Sequence, residues 1–324
     1  MKSIAGAGLS AKLASGKANH PPSRYLSTSS KNRAFVALAA AGILWGTGFI
    51  FGKWALEELS VGHMVLYRFL FAAVGFAPAI WRGMQRAETR IAREDLALIL
   101  SAALLGVPIQ FLIQFAGLAR TTVSHASLMV GNLPVLLAAG SALFAHERVT
   151  AKRWMLLVVS TIGAALIAFG ASTGEAGSRA SVSGDILVAV SLLGGVAWIL
   201  LSQRLMKTGR YTSVTASAYV MTVGAFMVAA WVIPMEGLPP VHLSALAWIS
   251  VAASGLLATT CTTYLWNWGL GRVPASQAGV FINLEPVVGA VLGVALFGDV
   301  FGPFGILGGI LVVGAAVLVA MDGG

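Results

Sequence analysis

Ten apolar runs dominate this sequence, each long enough, or nearly so, to cross a lipid bilayer, which takes about 20 mainly apolar helical residues. The runs cover residues 34–56, 62–81, 96–118, 123–145, 154–171, 184–203, 212–233, 244–268, 274–297 and 303–321. Of the 324 residues, 57% are apolar and only 10% are charged, whereas soluble proteins carry about 25% charged residues. This composition excludes a water-soluble enzyme and a disordered chain. The sequence predicts an all-α membrane protein with ten transmembrane helices.

A formal net charge of +9 is high for so apolar a chain, and its placement decides what it means. Six basic residues lie in the first 33, a stretch without Asp or Glu that is rich in Ser, Ala and Gly. We interpret residues 1–33 as a disordered cytoplasmic tail. An organellar transit peptide is the alternative, because such peptides are also basic and poor in acids. The basic residues are not interleaved with aromatic residues, so no nucleic-acid binding is expected.

The basic residues between the runs indicate the orientation of the chain. With the N-terminus inside, 17 Lys and Arg residues fall on the tail and the inner loops, whereas the outer loops hold only Arg120 and Arg179. Short cytoplasmic loops carry an excess of Lys and Arg. Both termini are therefore predicted to face the cytoplasm.

The sequence also matches itself at an offset of 152 residues. The segment GLARTTVSHASLMVGNLPVLLA from Gly117 aligns with GLGRVPASQAGVFINLEPVVGA from Gly269. Each half then holds five spans, at 34–171 and 184–321. Because five is odd, the second half enters the membrane from the opposite face. Inverted repeats with a substrate site between them are typical of secondary transporters, so two inverted five-helix repeats are the predicted architecture.

Several segments together resemble a known family. They are WGTGF in the first span, LYRFLFAA in the second, NLPVLLAAGSALFAHERVT running into the fifth, and FINLEPVVGAVLGVALFGD in the ninth. Their order and duplication are similar to paired EamA domains of the drug/metabolite transporter superfamily. The resemblance covers about residues 34–321 and implies an inner-membrane carrier that often exports amino acids or related metabolites. Asp299 stands where the family usually has Glu, which conserves the charge.

Two charged residues inside spans are the main site candidates, since such groups are costly unless they face a cavity or a partner. Glu285 is predicted about halfway along the ninth span, and Pro286 after it removes a backbone hydrogen bond and opens the helix. This acid suits proton coupling or recognition of a substrate ammonium group. Arg68 in the second span suits a substrate carboxylate through a two-donor contact. The alternative is a structural ion pair between Arg68 and Glu285.

Polar amides within the spans are further candidates. Gln110 and Gln114 are four residues apart and project from one face of the third span. A polar stripe of this kind faces a cavity or forms hydrogen bonds between helices. Asn132 and Asn283 directly precede the two segments that carry the repeat prolines, where they could serve substrate or freed backbone groups.

Aromatic and basic residues complete the set. Trp45 and Trp198 lie deep in their spans and match in the repeat to within one residue. Together with Tyr264 they are candidates for lining a cavity, with packing as the alternative. Lys53 lies near the outer end of its span and can extend its ammonium group to the interface. His125 lies near a span end and is predicted to be interfacial.

No catalytic or metal-binding pattern accompanies these residues. The sequence lacks a G-x-x-x-x-G-K-[ST] phosphate loop, which argues against ATP-driven pumping. No carboxylate or His cluster in a span suits a metal, and no cofactor is expected. The single cysteine, Cys261, lies in an apolar run. Glycine pairs with GxxxG spacing, such as Gly42 and Gly46, indicate close helix contacts within the bundle, with a homodimer interface as the alternative.

These features favour a secondary transporter that moves small polar metabolites across a bacterial inner membrane by alternating access. Export of amino acids or related metabolites, with or without proton coupling, is the first interpretation. One alternative is an uptake or exchange carrier for a sugar derivative or drug-like cation. The other is a membrane enzyme or receptor that transports nothing.

Cysteine labelling tests the predicted orientation. In a Cys261→Ala background, Ala87→Cys lies in the loop at 82–95 and Ala176→Cys in the loop at 172–183. We expect an impermeant maleimide to label only the Ala176→Cys variant in intact spheroplasts, because the basic loop lies inside. Permeabilisation should then expose the other site. The reverse pattern would overturn the orientation.

Overall fold

The computed structural model describes residues 28–85, 91–144, 150–172, 180–272 and 280–321. These residues are largely helical and contain no strand, which confirms the all-α fold class. The helices, in chain order, are α1 Thr28–Ala55, α2 Val61–Gln85, α3 Arg93–Leu118, α4 Val123–Phe144, α5 Ala151–Ser172, α6 Val182–Lys207, α7 Ser213–Glu236, α8 Ala245–Leu270, α9 Leu284–Phe297 and α10 Pro303–Met321.

The helices have the length and composition of a multi-pass membrane protein. Within the described ranges, seven of them, α1 to α4 and α6 to α8, are long and apolar enough to cross a membrane. The apolar stretches of α5, α9 and α10 are shorter. α1 begins at Thr28, before the predicted start of its span at residue 34. Residues 1–27 of the predicted tail lie outside the described residues, so the tail stays a prediction.

A Ser or Thr side chain precedes four of the helices as an N-cap. Thr122, Ser181, Thr212 and Ser244 each accept a hydrogen bond from the backbone N–H three residues further on. An N-cap satisfies one of the N–H groups that the first turn of a helix leaves open. The starts of α4, α6, α7 and α8 are therefore set by local sequence.

Most of the helix packing joins the two halves of the chain. α2 packs on α7, α3 on α6, α4 on α9 and α5 on α10, while α1 lies against both α8 and α9. Buried aromatic side chains, among them Phe69, Phe76 and Phe115, fill the main core. That core draws residues from both halves, so the interior of the bundle is shared.

Glycine sets how closely some helices approach. A Cβ on Gly163 of α5 would lie 2.7 Å from the carbonyl oxygen of Gly308 in α10, and a Cβ on Gly308 would lie 2.5 Å from that of Gly163. A Cβ on Gly46 of α1 would lie 2.8 Å from the carbonyl oxygen of Glu285. Small residues at helix contacts favour association in lipid, and the close contact predicted for Gly46 is confirmed.

Four helices depart from regular α geometry at matching places in the two halves. α3 contains a π turn at Leu105–Ile109 and α8 contains one at Leu256–Cys261. α4 is interrupted before Leu133, and α9 follows a 3-10 turn at Val280–Asn283. Both pairs agree with the 152-residue offset to within one residue. Irregular backbone in a bilayer is tolerated only within protein or beside a cavity, so these points mark where a site is to be sought.

Polar contacts between the halves lie at both ends of the bundle. At one end, Arg210 donates to Asp95 at 2.8 Å, and the Tyr211 hydroxyl donates to the same carboxylate. The hydrogen bond to Asp95 raises the pKa of Arg210 above its ordinary value. At the other end, Glu58 accepts hydrogen bonds from the hydroxyl and the backbone N–H of Ser244, which lower the pKa of Glu58.

The contact between α5 and α10 provides a stability test. We expect Gly308→Ala to destabilise the protein by about 1–3 kcal/mol, because the added methyl group meets backbone and forces the helices apart. Gly314→Ala in the same helix is the matched control, since a Cβ there meets nothing within 4 Å. Thermal unfolding in detergent measures both variants. Equal midpoints for the two would contradict the close-contact role of Gly308.

Candidate functional site

Arg68 of α2 carries a cation in the interior of the bundle. Only 6% of the residue is exposed, and its Nε donates to Thr259 Oγ1 at 3.1 Å. The guanidinium carbon lies 4.8 Å from the ring centre of Phe111 and 5.4 Å from that of Phe115. These contacts stabilise a charge that would be costly without partners. No hydrogen bond joins the Nη atoms of Arg68 to an acceptor among the described residues.

The π turn of α8 presents Thr259 to Arg68. Thr259 Oγ1 also donates to the carbonyl oxygen of Ser254, five residues earlier, at 2.9 Å. Thr262 and Thr263 donate to the carbonyl oxygen of Thr259. The threonine hydroxyl groups therefore donate to carbonyl groups of the irregular turn, and that of Thr259 also accepts the hydrogen bond from Arg68. The sequence pattern does not single them out, because threonine in an apolar run carries no charge and the π turn leaves no mark in the pattern; such turns are frequent at functional sites.

Glu285 is the second charged candidate, and it lies partly buried in the first turn of α9. It interacts electrostatically with Arg68, although no N–O distance within 4.0 Å joins the two side chains as a salt bridge. One stretch of α1 contacts both residues, with Gly46 against the Glu285 backbone and Gly48 against the Arg68 guanidinium. The two opposite charges thus share one region without forming a direct ion pair.

The helix break lies directly before Glu285. α9 begins at Leu284, so Glu285 and Pro286 lie in its first turn, and Val280–Asn283 before it form a 3-10 turn. Pro286 has no N–H group to donate to the carbonyl of Ile282, four residues earlier in that turn, so the break agrees with the predicted effect of the proline. Residues 274–279 of the predicted span lie outside the described residues. A carboxylate in the first turn interacts favourably with the helix dipole, which helps α9 to hold this acid.

Gln110 and Trp198 lie where α3 and α6 cross. Gln110, which directly follows the π turn of α3, lies over Gly195, and Trp198 lies over Gly106. Gln114, one turn further along α3, is buried as well. Gln110 Oε1 and Trp198 Nε1 are buried and have no hydrogen-bond partner within the described part of the chain. Since buried polar atoms normally have a partner, one acceptor and one donor are available here to a polar ligand or to water.

The two asparagines lie at the helix breaks, as their place before the repeat prolines predicts. Asn132 Nδ2 donates to the carbonyl oxygen of Met129 at 2.9 Å, and its Oδ1 accepts from the Ser160 hydroxyl. Asn132 therefore donates a hydrogen bond to a backbone carbonyl group beside the helix break, which is one of its two predicted roles. Asn283 is buried directly before α9, beside Glu285 along the chain.

Trp45 and Tyr264 lie in aromatic contacts. The ring centres of Trp45 and Trp266 are 5.2 Å apart, and those of Tyr264 and Phe76 are 5.8 Å apart. Pairs at these distances add to packing energy. The packing alternative is therefore favoured for both residues.

Lys53 and His125 have hydrogen-bond partners that the sequence does not predict. Lys53 Nζ donates to the carbonyl oxygens of Leu118 and Thr121 and so caps the end of α3. His125 lies near a helix end, as predicted, but it is buried in the protein, and its Nδ1 hydrogen-bonds to Asp185 at 2.9 Å. Asp185 escapes prediction because it lies at the very start of its apolar run, where an acid is typical of a loop.

The interior thus holds two polar regions. Arg68 of α2 and Glu285 of α9 place a cation and a carboxylate beside α1, whereas Gln110 and Trp198 place a neutral acceptor and donor where α3 and α6 cross. Within the described ranges, no group of three or more His, Cys, Asp or Glu residues could hold a metal ion. The arrangement suits binding of a small molecule that carries both charged and neutral polar groups.

The amino-acid sequence of this chain is similar to those of known transporters. Residues 32–169 and again 182–321 match the sequence profile of the EamA-like transporter family. The uncharacterized transporter YetK of Bacillus subtilis is 23% identical over 261 residues, which cover 80% of this chain and 78% of that protein.

Two further likenesses extend over most of the chain. A "probable terminal-alkyne amino-acid exporter" of Streptantibioticus cattleyicolor is 26% identical over 294 residues, which cover 89% of this chain and 93% of that protein. A crystal structure at 19% identity covers 90% of this chain and 98% of its own, with a TM-score of 0.59. At that identity the likeness shows a shared fold alone.

The contact between Thr259 and Arg68 generates a prediction. Thr259→Val leaves the buried Nε–H group without its acceptor, so we expect a loss of about 1–3 kcal/mol in stability. Thr259→Ser keeps the hydroxyl and is the matched control. Thermal unfolding in detergent should separate the two variants, and identical midpoints would show that the hydroxyl does not support Arg68.

Proposed function

Because this chain belongs to the EamA-like transporter family, we propose that it is a secondary transporter that exports amino acids or related small metabolites by alternating access. The family and its named relatives are transporters rather than enzymes. The observation that carries the proposal is the buried Arg68, whose Nε is held by Thr259 while its two-donor edge makes no hydrogen bond among the described residues.

The chemistry of the site supports a zwitterionic substrate. A guanidinium group binds a carboxylate through two parallel hydrogen bonds, and the guanidinium of Arg68 lies against two aromatic rings. Glu285 supplies a negative charge in the same region, which suits an ammonium group or a coupling proton. We assign the rest of the molecule to Gln110 and Trp198, which offer a neutral acceptor and donor, and to the buried amides of Gln114 and Asn283.

The proposed architecture is ten spans in two inverted repeats, at 34–171 and 184–321. The paired π turns of α3 and α8 support it, as do the breaks in α4 and before α9. The packing fits such a repeat. When the two halves are exchanged, the pair α1–α8 becomes the pair α6–α3, while the pairs α2–α7 and α5–α10 each keep the same two helices. Alternating access by rocking of two such halves is the mode that this architecture serves.

The charges support an orientation, and the family supports a location. We propose that both termini lie in the cytoplasm, because Lys and Arg concentrate on alternate loops, and that the chain lies in a bacterial inner membrane, as its resemblance to EamA transporters implies. In that orientation the end of the bundle with Arg210 and Asp95 is cytoplasmic, and the end with Glu58 and Ser244 faces outwards. The basic tail then lies inside the cell, where it can contact anionic lipid.

Flux through reconstituted proteoliposomes tests the function. Labelled amino acids, sugar derivatives and organic cations are loaded separately, and efflux is followed with and without a pH gradient. The proposal is supported if a labelled amino acid leaves the liposomes and if an excess of the same unlabelled amino acid slows this efflux. Transport of a cation or sugar alone would favour the alternative carrier class, and no movement of any solute would sink the transporter hypothesis.

Glu285→Gln tests proton coupling in the same assay. The amide keeps the size of the side chain but cannot bind and release a proton near neutral pH. We expect flux driven by a pH gradient to fall by about tenfold or more, equivalent to about 1.4 kcal/mol. Glu57→Gln, at an exposed position of the loop between α1 and α2, is the matched control. Unchanged pH-dependent flux in Glu285→Gln would show that the coupling proton binds elsewhere.

A further inference from the structure

His125 and Asp185 form a polar pair that the substrate site does not use. His125 is 1% exposed and Asp185 is fully buried. His125 Nδ1 hydrogen-bonds with Asp185 Oδ2 at 2.9 Å, and Thr121 Oγ1 donates to Asp185 Oδ1. Both carboxyl oxygens of Asp185 therefore have hydrogen-bond partners, as buried polar atoms normally do.

The pair joins the two halves at one end of the bundle. His125 lies in the first turn of α4, in the first half, and Asp185 lies in the first turn of α6, in the second half. Ser181 Oγ adds a hydrogen bond to the carbonyl oxygen of Arg120 beside them. This end is the one where Glu58 meets Ser244, at the start of α8.

A second acid of the other half holds the same helix start. Asp299, between α9 and α10, accepts a hydrogen bond from the backbone N–H of Ser124 at 2.9 Å. The Phe301 ring stacks on His125 with centres 5.7 Å apart and planes 5° apart. The start of α4 is therefore fastened to two separate elements of the second half, α6 and the α9–α10 connection.

The chemistry of the pair suits a contact that must break and reform. An apolar contact resists opening to water, because opening exposes its whole surface. A histidine and a carboxylate are stable when paired in a dry interior and also when each is hydrated. Removing only one partner leaves the other buried and unsatisfied, so the pair is complete only when α4 and α6 lie together.

We propose that His125 and Asp185 form a latch that holds the two halves closed at this end and separates when the interior opens there. The inference rests on the proposed alternating-access function. Thr121 and Asp299 support the latch from either side. Lys53 extends it to α1, because its ammonium group donates to the carbonyl oxygen of Thr121.

Reporter cysteines test the latch in the full chain, purified in lipid nanodiscs with Cys261→Ala. Ser127→Cys reports from a fully buried position of α4 just below the latch, and Thr215→Cys reports from a buried position at the opposite end. We expect His125→Ala and Asp185→Ala to raise the maleimide labelling rate of the first reporter by about tenfold or more, as the open population grows. The rate at the second reporter should not rise.

Two matched variants sharpen the result. His242→Ala removes an exposed histidine and should leave both rates unchanged. The double variant His125→Asp/Asp185→His restores the pair with its two members exchanged. It should return the labelling rate of the Ser127→Cys reporter towards that of the parent protein. An unchanged first rate, or an equal rise at both reporters, would overturn the latch. Labelling needs no solute, so a failed latch and a failed transport assay are separate results.

Discussion

A bilayer interior offers no water, so every polar group within it must find its partner inside the protein. The rest of this structure depends on that constraint. Helices satisfy most backbone groups, and polar side chains appear where the helices end or break. Lys53 caps the last carbonyl groups of α3, Asn132 fills the interruption of α4, and threonines close the π turn of α8. The polar interior is therefore organised around irregular backbone.

The two halves share their irregularities but not their chemistry. Glu285 corresponds to Leu133 in the 152-residue offset, and Arg68 corresponds to Val220. The crossing of α1 and α8 consequently lies beside the charged groups, whereas the matching crossing of α6 and α3 carries Gln110 and Trp198. The interior thus presents charged groups beside one helix crossing and neutral polar groups beside the other. Such an asymmetry suits a substrate whose two ends differ.

Much of the fold and part of the site can be predicted from the amino-acid sequence alone. Apolar runs predict helices in lipid because few other conformations satisfy the backbone there. Arg68 and Glu285 stand out because a charge inside a span is rare and costly. The burial of His125 cannot be predicted in this way, since its partner Asp185 resembles a loop acid in the sequence. Pro286 predicts the loss of a backbone hydrogen bond near Glu285, whereas the 3-10 form of the turn before Leu284 is a detail that a one-dimensional pattern does not specify.

The amino-acid sequence by itself determined that this chain is helical and lies in a membrane, and which charges lie within its spans. Those properties depend on the hydropathy of each segment and hardly on its neighbours. Only the tertiary structure decided which partner each charge finds. Arg68 meets Thr259 from 191 positions away, and His125 meets Asp185 from 60. Such pairings depend on which helices pack together and on how a π turn or a 3-10 turn rotates a side chain, and those are properties of the assembled bundle.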